Sequence, residues 1–474
     1  MLTNLNWLKV GEEFPPKCER ERLEGYRTNR DLFECKHAQV YKETFERIER
    51  VIGNFEAVVS YPILLNFQKL LSLKIADLLL GEPPIITNTE KQKVIDDIES
   101  RSSLQNTTYQ VVVDASRYGD GLFYIRKEGN LGIIDIANPQ IWFPIVSDEN
   151  VRDVQNHVLA WTRPATIEGK DQTLLTARVH YKGYYDETIY LMEGGMIQRI
   201  ITPMKRFKTG LTDFAIVQVS NIITSDRSTG IDDYIDIDSI ISELMVRLGQ
   251  VSKILDKHAG PSMSGPLSAL ERDPVSGEWR LKTATYFPRE STDDPSVEYI
   301  TWDGQLESNF TQIEKLMNLL YTISEMGSAM FGDLSSTTGQ VPSGSALKRL
   351  MISPLAKVNR IRMRLDPALK KSIALCSQLG PSVLLESDIT IKWQDGLPGD
   401  PLEESEIIKN RTNGCQTMSV QRVLTTFDGM NEKSAEEEIA LISDEEAMTN
   451  PLTPPPFSTG EGSEPPEEEE SIEE

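Results

Sequence analysis

The sequence of 474 residues has little cysteine and no long uninterrupted apolar run. Cys18, Cys35, Cys376 and Cys415 lie far apart and form no CxxC pair, which excludes a disulfide framework and fits a reducing cytosol. No basic segment followed by an apolar one opens the sequence, so no signal peptide is predicted. Polar and charged residues interrupt the most apolar stretch, 58–80, which favours a buried or amphipathic helix over a membrane span.

Basic residues are absent after Lys433, whereas residues 434–474 contain fourteen acidic ones. The whole chain has 49 basic and 73 acidic residues, a net charge of −24. Tight duplex binding requires a basic footprint, so this balance argues against sequence-specific DNA binding. It does not exclude a surface along which DNA passes without being held. Residues 449–474 are rich in Pro, Ser, Thr, Gly and Glu, and we expect a disordered acidic tail there.

Motifs for catalysis or metal binding are also lacking. The four histidines are scattered, at His37, His157, His180 and His258, without metal-ligand spacing. Four acidic residues cluster at a predicted helix start, where they favour the helix dipole more than a cation: Asp232, Asp233, Asp236 and Asp238.

A Gly-x-x-x-x-Gly spacing at 339–344 resembles a phosphate-binding loop but lacks its other parts. Ser345 and Ala346 occupy the positions that need Lys and Ser or Thr, and a helix rather than a strand precedes. No GxSxG occurs either. We therefore predict no enzyme, no catalytic residue, no cofactor and no metal.

Residues 1–231 read as an α+β unit. Helices are predicted at 41–54 and 62–80, with Pro62 in the first turn. Residues 109–145 have β-branched and aromatic runs broken by turn residues, which predicts hairpins. Further strands are predicted at 157–162, 176–185, 188–192 and 214–219.

Two amphipathic helices of similar length, about 27 residues and about 40 Å each, are predicted at 232–258 and 305–331. Between them, 261–304 is rich in Pro and Gly, with strand-like pieces at 278–287 and 297–302. This layout favours an antiparallel pair carrying a small domain at its tip. Two unrelated core helices are the alternative.

A polar loop then precedes a third long helix, 345–379, which Pro354 and Pro367 should bend or break. A strand at 388–393 and helices at 401–411 and 417–445 follow, the last started by Thr417 or Ser419. Residues 348–371 carry a net charge of +7. Pairing with acidic groups within or between subunits is favoured there over contact with nucleic acid.

The order of these parts resembles that of the portal proteins of tailed bacteriophages. The resemblance covers roughly 40–445 and rests on ordered stretches rather than on one motif. They are LLLGEPP (78–84), ASRYGDGLFYIRKEG (115–129), NPQIWFPI (138–145), FAIVQVSN (214–221), STGIDDYIDIDSII (228–241), PSGSALKRLM (342–351) and ITIKWQDGLPGDPLEESEIIKNR (389–411). Pro354, Pro367 and the acidic tail depart from the family pattern.

The resemblance implies a portal-type α+β fold with an antiparallel two-helix stem and a small α/β clip insert. The implied parts are a wing (1–231), stem helices (232–260 and 305–333), a clip (261–304), a tunnel loop (334–344), a bent helix with a wing return strand (345–400) and a helical crown (401–448). It also implies a dodecameric ring at a capsid vertex of the virion, which viral DNA threads. The implied partners are the terminase motor, major capsid and scaffolding proteins and head–tail adaptors, with no membrane.

Site residues follow from the same resemblance. The tunnel loop would present Ser335, Ser336, Thr337, Thr338, Gly339, Gln340 and Val341. The stem would pack through Ile237, Ile241, Leu244, Leu248, Val251, Phe310, Ile313, Met317 and Leu320. The clip would dock partners through Arg272, Asp273, Trp279, Arg280 and Lys282. A basic band near DNA or between subunits would comprise Lys348, Arg349, Lys357, Arg360, Arg362 and Arg364.

Two other functions remain open at this point. One is a host scaffold or adaptor that uses its long helices to bind partners without forming a ring. The other, less favoured, is a nucleotide-binding enzyme that uses the loop 339–346.

Overall fold

The computed structural model describes most of the chain. The described residues are 1–51, 63–167, 169–259, 263–264, 270–272, 279–281, 298–299, 306–332, 349–394, 401–412, 417–427, 430 and 432–449. The chain divides into two compact units, Met1–Leu397 and Pro398–Glu474. No helix of the described part is long and apolar enough to cross a bilayer.

Helices and strands alternate irregularly along the first unit. Its helices are α1 (Arg20–Phe33), α2 (His37–Val40), α3 (Lys42–Val51), α4 (Phe67–Leu80), α5 (Gln92–Ser102), α6 (Leu104–Tyr118), α7 (Asp238–Ala259), α8 (Leu306–Ile323) and α9 (Ile352–Ser377). Its strands are β1 (Ile85–Thr87), β2 (Asp120–Glu128), β3 (Leu131–Ile136), β4 (Trp142–Val146), β5 (Val154–Ile167), β6 (Lys170–Tyr181), β7 (Tyr184–Glu193), β8 (Met196–Lys208), β9 (Ile216–Ser220), β10 (Met263–Ser264), β11 (Leu270–Arg272), β12 (Trp279–Leu281), β13 (Glu298–Tyr299) and β14 (Thr390–Lys392). The second unit has α10 (Pro401–Thr412), α11 (Val420–Thr426) and α12 (Glu432–Thr449).

Two sheets organise the first unit. β4 to β8 form a five-stranded antiparallel meander in chain order, and β3, β2 and β9 form a three-stranded sheet. One core packs helices α4, α6 and α9 against the three-stranded sheet and includes Leu320 of α8. A second core covers the meander with Trp7 and Phe143 among its buried residues. Helices and sheets share cores, so the predicted α+β class is confirmed.

Several predicted elements are confirmed in detail. The β2–β3 hairpin lies inside the stretch predicted to form hairpins, and β14 falls within 388–393. β14 pairs antiparallel with β1, so the chain returns to the N-terminal part of the first unit after α9. α10 matches the helix predicted at 401–411, and the side chain of Ser419 caps α11 by accepting from the backbone N–H of Arg422.

The prediction of strand at 109–118 is wrong, because these residues belong to α6. β-branched Val111, Val112 and Val113 favour a strand locally. In the fold all three are buried in the main core. The small helix-propensity cost of these residues is outweighed by the apolar surface they bury.

Helix starts were predicted too early in two places. α4 begins at Phe67, where the Asn66 side chain accepts a hydrogen bond from the backbone N–H of Lys69; Pro62 lies outside the described residues. α7 begins at Asp238 rather than at 232. Before it, the Asp232 side chain accepts from the backbone N–H groups of Tyr234 and Ile235, and this local pairing holds a turn instead of a helix.

The second long helix ends sooner than predicted, at Ile323. Glu325 (φ 61°) and Gly327 (φ 65°) have left-handed backbone conformations, which cannot continue an α-helix. A short 3-10 helix, Ser328–Phe331, follows. The paired helices therefore have 22 and 18 residues instead of about 27 each.

The helix predicted from 345 is broken near Pro354, as expected: Arg349 and Leu350 are helical, Met351 is a turn residue, and α9 begins at Ile352. Pro354 lies in the first turn of α9, where a missing N–H costs nothing, and Pro367 does not interrupt the helix. Pro367 lies inside the helix and has no N–H to donate to the Met363 carbonyl oxygen four residues earlier. Met363 is an exposed residue, so water can reach this turn of the helix. Residues 345–348 lie outside the described residues.

Two other predicted elements are each divided in the structure. The strand predicted at 176–185 is split by a turn at Lys182–Gly183, which joins β6 to β7. The helix predicted at 417–445 is two helices, α11 and α12. The sequence between them contains Gly429, a residue type that favours turns.

A close backbone contact positions the segment that leads into α7. A Cβ at Gly119 would lie 2.5 Å from the Gly230 carbonyl oxygen, and Gly119 has φ 87°. Only glycine fits there. The fully buried Asp120 carboxylate then accepts from the Gly230 N–H at 2.9 Å and from the Ser220 hydroxyl at 2.9 Å.

Candidate functional site: the junction of helices α7, α8 and α9

The junction is built where α8 stops and α9 starts. Between Gly332 and Arg349 runs the segment that contains the predicted tunnel loop, Ser335 to Val341, and it lies outside the described residues. Its two flanks are described and lie side by side. The Ser353 hydroxyl donates to the Glu325 carbonyl oxygen at 3.0 Å. The Arg360 guanidinium also pairs with the Glu325 carboxylate.

Lys357 is the centre of the junction. Its ammonium lies 2.8 Å from Oδ1 of Asp233 and donates to the Ser324 carbonyl oxygen at 3.0 Å. The side chains of Lys357 and Asp233 are only 7% and 2% exposed. A buried charge is tolerated when it is paired and hydrogen-bonded, and both conditions are met here.

The position of Lys357 fixes the direction of the helix pair. Asp233 comes shortly before the first residue of α7, and Ser324 comes directly after the last residue of α8. One ammonium contacts both, so the start of α7 and the end of α8 lie at the same place. α7 and α8 also pack against each other. They therefore run antiparallel, and the chain between them, 260–305, leaves and returns at the opposite end.

A buried polar network ties this junction to the helices beneath it. The Ser116 hydroxyl of α6 donates to Oδ2 of Asp233 at 2.7 Å. The Ser72 hydroxyl of α4 lies 2.9 Å from both the Ser116 hydroxyl and the Tyr234 hydroxyl. Burial raises the pKa of Tyr234, so it stays a neutral hydrogen-bonding group. The network joins α4 and α6 to the start of α7.

A second polar group holds the first residue of α7. Gln68 of α4 donates to Oδ1 of Asp238 at 3.0 Å and to the Tyr41 hydroxyl at 2.9 Å. Its carbonyl oxygen lies 3.0 Å from Nε2 of His37. Burial raises the pKa of Asp238, although its hydrogen bonds from Gln68 and Tyr41 oppose that rise.

The four clustered aspartates that the sequence analysis considered as cation ligands have different surroundings in the structure. Asp232 holds the turn before α7, Asp233 pairs with Lys357, Asp238 binds Gln68, and Asp236 is exposed. Burial, followed by the charges of Asp233 and Asp238, raises the pKa of Asp232 to about 6, which its two backbone hydrogen bonds oppose. Within the part of the chain that the structure describes, no group of three His, Cys, Asp or Glu side chains is arranged to hold a metal ion.

Aromatic packing closes the junction on the side of α8. The rings of Phe331 and Phe67 have centroids 4.7 Å apart, and Phe331 stacks on Tyr321 at 5.4 Å. Such pairs add about 0.5–1.5 kcal/mol beyond the area they bury. The 3-10 turn after α8 is thereby fixed to α4.

The predicted stem residues have different environments. Ile237, Ile241, Leu244, Val251 and Leu320 are buried, and Leu248, Ile313 and Met317 are half-buried. Phe310 is 51% exposed. Most of the predicted stem residues are therefore buried or half-buried within this chain, whereas Phe310 is exposed to solvent.

The predicted clip residues are described only in part. Arg272 pairs in register with Trp279 in the β11–β12 hairpin, and Arg280 pairs with Glu271. Asp273 and Lys282 lie outside the described residues.

The predicted basic band divides in the structure. Lys348 lies outside the described residues and Arg349 is exposed. Arg362 donates to the Gln394 carbonyl oxygen, and Arg364 donates to the Asn221 carbonyl oxygen. With Lys357 and Arg360 bound as above, four members contact other parts of the first unit.

Sequence reasoning missed Asp233, Ser324 and Glu325 as partners of the basic band. Asp233 was assigned to the helix dipole, and nothing in the sequence marks a backbone carbonyl such as that of Ser324. The one available signal is a charge argument: a lysine among apolar residues of a buried helix face requires an acidic partner.

Solved structures similar to this chain include two from gene transfer agent particles. One is the virion of a native gene transfer agent particle, with TM-score 0.40 and 11% identity, covering 76% of this chain and 88% of that chain. The other is the neck of an empty gene transfer agent particle computed with C6 symmetry, with TM-score 0.45, 12% identity and the same coverage. No protein-family model and no curated protein matches the chain. Both similarities are low in identity and in TM-score, and they establish no function for this chain.

Proposed function

We propose that this chain is a portal-type protein. Copies form a ring at one capsid vertex, viral DNA enters and leaves through the ring, and the segment 261–304 receives the packaging motor and head–tail adaptors. The observation that carries the proposal is the Lys357 ammonium, which joins the start of α7 to the end of α8.

The antiparallel pair has the geometry that a stave of a ring needs. α7 has 22 residues, which corresponds to about 33 Å of helix at 1.5 Å per residue. One end is fixed in the core of the first unit, and the other end extends to the inserted segment. The flanks of the segment 333–348 lie at the fixed end, as expected for a loop at the inner wall of a channel.

Pairing of the two ends of the insert supports the same arrangement. Met263 and Ser264 of β10 pair antiparallel with Tyr299 and Glu298 of β13. The chain therefore closes on itself soon after it leaves α7 and before it enters α8. A module closed at its base can project from the tip of a helix pair without separating the helices.

Exposed apolar side chains on the pair support assembly with further copies. Leu319 and Ile323 lie four residues apart on one face of α8 and are 50% and 43% exposed. Leu255 of α7 is 48% exposed. Burying such groups against a neighbouring pair would contribute about 25 cal/mol per Å² of apolar surface.

The charge of the chain suits a conduit more than a DNA-binding protein. A net charge of −24 over 474 residues does not hold a polyanion tightly. A channel needs weak, sequence-independent contacts, because tight phosphate contacts would have to be broken at every step of passage.

Electron microscopy of the purified full-length chain tests the proposal. We expect rings with a central hole. In Leu319→Asp, a charge on the exposed apolar face of α8 should prevent ring formation while the fold persists, because Leu319 is half exposed and not in the core. Asn318→Asp is the matched control, since it places the same charge at an adjacent exposed position and should leave rings intact.

Monomers alone from the unmodified chain would contradict the ring. Rings in both variants would remove Leu319 from the interface between copies. Circular dichroism of the two variants shows that each has retained its fold.

A further inference from the structure

A cavity of about 420 Å³ lies beside the C-terminal half of α9, away from the Lys357 junction. It is bounded by α9, by β9, by the chain around Asp213 and by the turn between β6 and β7. Its charged lining comprises four cations and two carboxylates: Arg152, Lys182, Arg364, Lys371, Asp213 and Glu386. The lining thus has two surplus positive charges in a chain whose net charge is −24.

One face of α9 forms the floor of the cavity. Arg364, Pro367, Ala368 and Lys371 follow one another at helical spacing and all line it. The short side chains of Pro367 and Ala368 leave a hollow between two long basic ones. This face therefore combines space with positive charge.

The cations of the cavity are only partly neutralised. Oδ2 of Asp213 lies 2.7 Å from the Lys371 ammonium, and Oδ1 lies 3.5 Å from the Lys182 ammonium. One carboxylate thus serves two lysines. Arg364 donates to the backbone carbonyl oxygens of Asn221 and Arg360, which carry no net charge.

A buried histidine adds a neutral donor. His157 is 5% exposed and lines the cavity. Its Nδ1 accepts from the Trp142 indole N–H at 3.0 Å, so the neutral ring carries its proton on Nε2. Within the described residues this N–H has no acceptor. Burial, followed by the charge of Lys371, lowers the pKa of His157 to about 4, so the ring is neutral at pH 7.

We infer that this cavity binds a phosphate group, either as a free anion or as part of a nucleic-acid backbone. The tetrahedral oxygens of a phosphate can accept from the lysines, the arginine fork and the His157 N–H from several directions at once. Inorganic phosphate carries between one and two negative charges near neutral pH, and a nucleic-acid backbone supplies one negative charge on each phosphate, so both sources offset the surplus positive charge. The volume lies at the lower end of the range for small-ligand sites. All residues that line the cavity belong to one chain, so phosphate binding there does not depend on ring formation.

Isothermal titration calorimetry of the full-length chain with inorganic phosphate at constant ionic strength tests the inference. Arg152 is exposed and the Lys182 side chain is 65% exposed, so Arg152→Gln/Lys182→Gln should fold normally. Loss of these charge-assisted contacts should weaken phosphate binding by about tenfold or more. Lys170→Gln is the matched control, since Lys170 is an exposed lysine at the far end of β6, and it should bind phosphate as the unmodified chain does.

A competition arm identifies the source of the phosphate. If short duplex DNA displaces inorganic phosphate, the site binds the nucleic-acid backbone; if it does not, the site binds a free anion. Either result supports the inference. It is overturned if the unmodified chain shows no saturable phosphate binding, or if the double variant binds phosphate as tightly as the unmodified chain. The presence or absence of rings in micrographs decides the portal proposal separately.

Discussion

The N-terminal half of α9 and its C-terminal half carry similar basic side chains but place them in different surroundings. In the first half, Lys357 pairs with Asp233 and Arg360 pairs with Glu325. Both of these cations have their own carboxylate, whereas Arg362 in the same half donates to the Gln394 carbonyl oxygen. From the midpoint of α9 onward, the cations that line the cavity are less well matched: Arg364 donates to backbone carbonyl oxygens, and Lys371 shares Asp213 with a second lysine. Lys370, which does not line the cavity, pairs with Asp366.

This difference separates a structural use of charge from a use in binding. A buried cation with its own carboxylate fixes two segments together and has no capacity left for a ligand. A cation without a full counter-charge at the wall of an open cavity can still bind an anion. One basic segment of the sequence therefore contains two sites with different chemistry.

The largest effect is expected from breaking the buried pair. Lys357→Met removes the ammonium and leaves the Asp233 carboxylate, 2% exposed, without its counter-charge. We expect the free energy of unfolding to fall by about 3–5 kcal/mol. Urea unfolding followed by circular dichroism measures the change.

Lys370→Met is the matched control on the same helix. Lys370 lies 2.8 Å from Asp366, the same separation as in the buried pair, but the two side chains are 28% and 26% exposed. A partly exposed i, i+4 pair contributes about 0.3–1 kcal/mol. Equal losses in the two variants would show that burial does not distinguish the two halves of α9.

The sequence could indicate that α9 is basic but not how it is divided. Lys357, Arg360, Arg364 and Lys371 are close in sequence, and successive helical residues turn by about 100°. Which side each one faces is decided by segments far away, such as Asp233. These contacts arise only when the chain folds, so the sequence pattern alone predicted a single basic band over residues 348–371.

Local signals predicted the elements that depend on local chemistry. The β2–β3 hairpin, β14 and α10 follow from turn residues, alternation and helix-forming runs. Elements decided by tertiary packing were missed. α6 contains Val111 to Val113 and became helical because the core buries it, and α8 ended at Ile323 through a left-handed Glu325, a residue type with no preference for that conformation.

A smaller effect, and one that depends on pH, is expected at the cavity end of α9. The pKa of His157 is lowered to about 4, first by burial and then by the charge of Lys371, while Asp213 opposes the change. The folded state therefore favours the neutral ring. The stability present above the ordinary pKa of 6.5 is lost as the pH falls from 6.5 towards 4.

His157→Gln should remove this part of the acid sensitivity, at most about 3 kcal/mol between neutral pH and pH 4 at 1.36 kcal/mol per pKa unit. His180 faces His157 across β5 and β6 and has its pKa lowered to about 3 by burial, so some acid sensitivity should remain. Urea midpoints across this pH range measure the difference. An unchanged pH dependence in the variant would exclude His157 as its source.

The junction end should respond to pH in the opposite direction and by less. Burial raises the pKa of Asp232 from 3.8 to about 6, so the folded state favours the protonated acid. This contribution is fully present below pH 3.8 and is lost as the pH rises through about 6.

Asp232→Asn keeps the oxygen that accepts from the N–H groups of Tyr234 and Ile235 and removes the charge, so it should stabilise the protein by about 1–2 kcal/mol at neutral pH. Asp236→Asn, exposed in the same turn, should change the urea midpoint little at any pH. Relative to the unmodified chain, Asp232→Asn and His157→Gln should change the slope of stability against pH in opposite directions, which would show that the two ends of α9 are electrostatically separate. Changes of the same sign in both variants would mean that both report one global transition.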